Sequence, residues 1–106
     1  MTSMEGMEMI AFQIIAAVGT ARSLYIEAID LASEGKYDEA RVKIKEGETT
    51  FNDGHKAHGE LLTKFANGEL PAMDILLTHA EDQLRSAEAF GILANKFITL
   101  YEKVNR

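Results

Sequence analysis

From residue 7 onward, apolar and small side chains recur at Met7, Ile10, Ile14, Ala17, Ala21, Leu24, Ala28 and Leu31. Alternating steps of 3 and 4 draw a single stripe along an α-helix, as required of a rod packed lengthwise on another. Gly35, free of a Cβ, can take the left-handed conformation that ends such a rod, which sets the first helix at about 5–34. A second stripe, Ala40, Ile44, Gly47, Phe51, Gly54, His58, Leu61 and Phe65, runs up to Gly68 and predicts a helix over about 38–67. "NGELPAMD" then turns the chain, with Pro71 at a first helical position that needs no N–H donor, and the third helix covers about 71–104.

The third helix carries two stripes. Met73, Leu77, Ala80, Leu84, Ala87, Gly91, Ala94, Ile98 and Tyr101 mark one face, and Leu76, His79, Gln83, Ser86, Phe90, Leu93, Phe97, Leu100 and Val104 lie beside it. One face can fill the core of a three-helix bundle. The other leaves Phe90, Leu93, Phe97 and Leu100 in water unless a second copy covers them, which predicts a homo-oligomer built around this helix. Gly47, Gly54 and Gly59 each weaken the second helix by about 1 kcal/mol relative to alanine. Close approach of two backbones accounts for them, although a break near "NDGH" stays open.

Composition narrows the function. A chain of 106 residues with 46% hydrophobic content builds one compact domain over 1–106 and has no room for a second. The net charge of −6, with acids spread along the chain, leaves no basic stripe for phosphate backbones and excludes nucleic acid as a partner. With no cysteine there is no disulfide, thiolate metal site or cysteine nucleophile, a composition suited to a reducing cytosol. The apolar run "MIAFQIIAAVG" spans 11 residues, includes Gln13 and lacks a preceding basic region, so it is expected to be neither a signal peptide nor a membrane span.

The chemistry is carried by histidine and acid. In "LLTHAEDQL", residues 76 to 84, His79, Asp82 and Gln83 fall three and four apart and share a helix face. A neutral imidazole is a good nucleophile when one ring nitrogen is held by an acceptor, a part open to Gln83 or Asp82. An interface histidine satisfied by its neighbours is the competing explanation, and spacing alone does not decide. Asp82 is either a solvated acid or, with helix three on a threefold axis, one of three carboxylates that share protons or bind a hard cation. His55 and His58 also stand three apart in "GHKAHGE", His58 as packing on the second stripe and His55 exposed; with no Glu-x-x-His in the chain, a ferritin-like di-iron site is not expected.

The run "LLTHAEDQL", preceded by "NGELP", resembles the signature of the IIA component of the lactose/cellobiose class of the bacterial sugar phosphotransferase system. "FQIIAAVGTARSLYIEAIDLASEGKYDEA", residues 12 to 40, is similar to that family's first helix and turn, so the likeness covers nearly the whole chain. The resemblance implies an all-α fold: an antiparallel three-helix bundle protomer assembling into a helical trimer in the cytoplasm. It implies that His79 accepts a phosphoryl group from the phosphocarrier HPr, as tele-phosphohistidine, and hands it to a IIB component coupled to a membrane IIC permease. By the same likeness Asp82 meets its two copies on the trimer axis and can hold a divalent cation, typically magnesium. Glu81 stands where the family usually has glutamine, and "QLR" replaces a frequent His-Leu-Met, so Gln83, Glu81 and Arg85 are expected to border the acceptor and to bear on partner and sugar preference. The sugar is of lactose or cellobiose/chitobiose type. A histidine phosphotransfer domain of a two-component relay and a non-catalytic helical oligomerisation module are the alternatives.

Overall fold

The computed structural model describes residues 4–69 and 75–105. Three helices follow in order, α1 (Met4–Ser33), α2 (Tyr37–Ala66) and α3 (Ile75–Val104), and among the described residues there is no strand. Each has 30 residues, or roughly 45 Å at 1.5 Å per residue. The bundle accordingly measures 57 × 19 × 16 Å, a rod with very little interior. The expected start of helix three at Pro71 and the core position of Met73 lie outside the described residues.

Both described turns close as glycine sequence chemistry requires. Gly35 and Gly68 have φ of 81° and 70°. At the first turn Lys36 N–H reaches back to Leu31 O and Gly35 N–H to Ala32 O; at the second, Glu69 N–H reaches Lys64 O and Gly68 N–H reaches Phe65 O. This doubled pattern satisfies the last carbonyls of a helix and reverses the chain within a few residues. α2 therefore runs antiparallel to α1, and α3 comes back alongside α1.

α1 is the shared partner of the other two helices, which meet each other over a smaller surface. Its buried stripe is Met7, Ile10, Ala11, Ile14, Val18, Ala21, Tyr25, Ala28 and Ala32. Ala17, Leu24 and Leu31, expected on the stripe, are only half-buried. The reason is that α1 faces two helices, so its apolar surface is wide and its centre line cannot be fixed by spacing alone. Over Gly6–Ser33 it is long and apolar enough to cross a membrane by length and composition, a longer stretch than the 11-residue run suggested, and here its inner side is covered by α2 and α3. For α3 the expected core positions Leu77, Ala80, Leu84, Ala87, Gly91, Ala94 and Ile98 are buried, while Tyr101, expected with them, is half-buried. On α2, Phe65 departs from the expected stripe and is 64% exposed in the last turn of the helix.

α2 is continuous through "NDGH", so the possible break does not occur. A Cβ on Gly54 would sit 2.7 Å from Val18 Cγ1, and one on Gly47 2.6 Å from Tyr25 Cε1. Gly91 on α3 closes the other side of the same ring, with a virtual Cβ 2.9 Å from Tyr25 Cε2. Tyr25 is thus pinned at both edges between two glycines. Burial, and then the nearby Glu48 carboxylate, hold its hydroxyl above the usual tyrosine range. Gly59 has open space around it and serves no such approach.

Candidate functional site

His79 projects from the second turn of α3 into solvent. At 100° per residue, Asp82, Gln83 and Ser86 follow it on the same side of the helix. Asp82 is exposed, and Gln83 and Ser86 are half-buried. The geometry thus brings together the residues that spacing singled out. Among the described residues no hydrogen bond or ion pair ties the His79 ring. Side chains lean toward a helix's N-terminus, so those of Asp82 and Gln83 lie over the turn that carries His79.

Glu81 is placed differently. Two residues beyond His79, it points about 200° around the helix. There its Oε1 lies 2.7 Å from His58 Nε2 on α2, and Arg85 Nη2 lies 3.9 Å from Oε2. The acid expected beside the acceptor is therefore engaged with the neighbouring helix. His58 is half-buried beside the core position Ala57, as packing required, but it also finds a polar partner that spacing within one helix could not show. His55 is exposed and stacks on Phe51, with ring centroids 6.1 Å apart. Arg85, 79% exposed at its side chain, points to solvent.

Arg22 on α1 is a polar contact that the sequence did not announce. Its Nη1 donates to Ser86 Oγ at 3.2 Å, placing a half-buried guanidinium on the side of α3 that carries His79 and Asp82. The signal was latent: an arginine inside an apolar helix needs an acceptor.

The same side of α3 continues as an apolar strip. Leu93, Phe97, Leu100 and Val104 are exposed, as expected of its second stripe. Phe90 is the exception, half-buried against the chain's own core. No three histidine, aspartate or glutamate residues converge on a metal among the described residues. Asp82, an exposed oxygen donor without an ion pair among the described residues, fits a hard cation only when other copies add carboxylates.

A slender helical bundle that offers one unencumbered imidazole, with a carboxylate a turn further on and an uncovered apolar strip below, has the make-up of a group carrier served by other proteins. Residues 9–102 match the family model described as PTS system, Lactose/Cellobiose specific IIA subunit, and the chain belongs to that family. It is 39% identical to the lichenan-specific phosphotransferase enzyme IIA component of Bacillus subtilis over 100 residues, 94% of this chain and 91% of that one. The crystal structure of the PTS cellobiose-specific enzyme IIA from Bacillus anthracis superposes with a TM-score of 0.90 at 35% identity, covering 99% of this chain and 94% of that. The fold is shared too with the chitobiose IIA of a solution complex with HPr, at a TM-score of 0.82 and 23% identity, over 93% of this chain and 96% of that.

Proposed function

We propose that the chain is a cytoplasmic phosphohistidine carrier that takes a phosphoryl group from HPr on Nε2 of His79 and passes it to a IIB component. The observation that carries this reading is the exposed, unbonded His79 ring on α3, inside the segment that resembles the family signature. In the transfer, the lone pair of Nε2 forms a bond to phosphorus as the bond from phosphorus to the donor breaks, while the proton on Nδ1 stays with the ring. The chain supplies no second reactant, so donor and acceptor surfaces must provide the alignment. A bound phosphoryl group carries about −1.5 to −2 charges, and on the same side as Asp82 it is held loosely. That suits a group which must be given up again.

The apolar strip on α3 supports a homotrimer in which three copies of this helix meet. Three Asp82 carboxylates would then hold a divalent cation, magnesium being the expectation, which would offset their mutual repulsion. Downstream, the IIB component would serve a IIC permease for a disaccharide of lactose or cellobiose/chitobiose type. The test is phosphoryl transfer from labelled HPr, comparing the native chain with His79→Ala. The carrier reading requires label on the first and none on the second. Label that survives the substitution refutes it; labelling by a response-regulator partner and not by HPr favours a relay domain, and no label on the native chain favours a structural module.

A further inference from the structure

A carboxylate two residues from the proposed phosphoryl acceptor is an electrostatic liability unless something restrains it. Glu81 is restrained. Its Oε1 lies 2.7 Å from His58 Nε2, with the two side chains 27% and 15% exposed. The remaining oxygen has only Arg85 at 3.9 Å, a long contact from a largely exposed arm, and exposed pairs of this kind hold little. The stretch of α1 that packs against this level, around Ile14, Ala17 and Val18, carries no charged side chain. His58 is thus the main anchor, and it comes from a different helix, 23 residues earlier in the chain.

We infer that His58 is a positioning residue of the carrier site, whose hydrogen bond keeps the Glu81 carboxylate on the α2 side of α3 and off the side where His79 receives its phosphoryl group. The inference rests on the reading of His79 as acceptor. Without His58, the carboxylate end of the Glu81 side chain is free to turn toward the His79 side, because Arg85 can follow it. Along a helix, residues two apart have Cα atoms close enough that the loosened carboxylate comes within about 8 Å of the phosphoryl group. In water, moving one charge from about 12 Å, where the anchored carboxylate stands, to about 8 Å from a group of charge near −2 slows transfer by about twofold. The proposal therefore separates two effects of one hydrogen bond, the joining of α2 to α3 and the disposal of a charge.

The experiment measures kcat/KM for phosphoryl transfer from HPr to the full chain. It compares the native protein with His58→Ala, His58→Gln and the double variant His58→Ala/Glu81→Gln, with helix content and sedimentation recorded for each. His58→Ala is expected to transfer about twofold more slowly. His58→Gln, whose amide N–H can still donate to Glu81, recovers most of the rate. The double variant, which has lost the hydrogen bond and the charge together, also recovers most of it. A purely structural bond predicts the opposite for the double variant, and a double variant as slow as His58→Ala overturns the inference. So does a native rate in His58→Ala, or a His58→Gln no faster than His58→Ala. In all of these outcomes His79 is still labelled, whereas failure of the carrier reading removes the label's dependence on His79.

Discussion

Gly47→Ala tests whether the bundle's geometry is set by its glycines. In a helix interior the exchange removes backbone freedom from the unfolded chain and by itself adds about 1 kcal/mol. Here the new methyl would stand 2.6 Å from Tyr25 Cε1 and 2.9 Å from Cδ1. Tyr25 cannot simply retreat, because the opposite edge of its ring faces Gly91 with as little clearance, 2.9 Å from Cε2 and Cζ to that virtual Cβ. Overpacking costs about 1–3 kcal/mol and belongs at the upper end when the obstructing ring is blocked on both sides. The net is a loss of about 2 kcal/mol, equivalent to a fall of about 8 °C in Tm for a domain of this size. Gly59→Ala, with nothing within 4 Å of its virtual Cβ, is the internal control, and it should raise Tm by about 4 °C. Thermal unfolding by circular dichroism, at one fixed protein concentration because association shifts Tm, measures both. If Gly47→Ala melts at or above the native temperature, the pinned ring is not a constraint and the account of α2's glycines fails.

Other outcomes follow from Tyr25 and Asp82. A phenol whose pKa is raised in the folded state contributes stability that is fully present below its unfolded value, about 10, and is lost as pH rises from there through the raised folded value. Burial and Glu48 raise Tyr25 in this way, so urea midpoints should fall between pH 9 and pH 11 more steeply for the native chain than for Tyr25→Phe; parallel slopes would contradict the assignment. Asp82→Leu should leave the proposed trimer intact or tighten it as axial repulsion disappears. Monomers in sedimentation of that variant would remove Asp82 from the axis.

How far the sequence could be read depended on how many partners each helix has. α3 offers its core side mainly to α1, and the positions from Leu77 to Ile98 chosen by spacing are the buried ones. α1 serves two neighbours. Its true centre runs through Val18, Tyr25 and Ala32, one residue further along than the chosen Ala17, Leu24 and Leu31. The local members of the site, His79, Asp82 and Gln83, could be grouped because helical geometry fixes neighbours three and four apart. The same rule places Glu81 on another side, so residues adjacent in sequence parted in space. Its partnership with His58, and that of Arg22 with Ser86, depend on how one helix is set along another, information that no periodicity within a helix contains.

The slenderness of the rod gives its middle unusual leverage over its end. Helices are stiff, and His79 lies twelve residues from Gly91, about 18 Å at 1.5 Å per residue. A wedge that tilted α3 by only about 5° at the Tyr25 level would carry the imidazole sideways by about 1.5 Å over that arm. Substitutions far from the proposed phosphoryl acceptor can therefore misdirect it without touching it, by swinging the beam on which it is mounted.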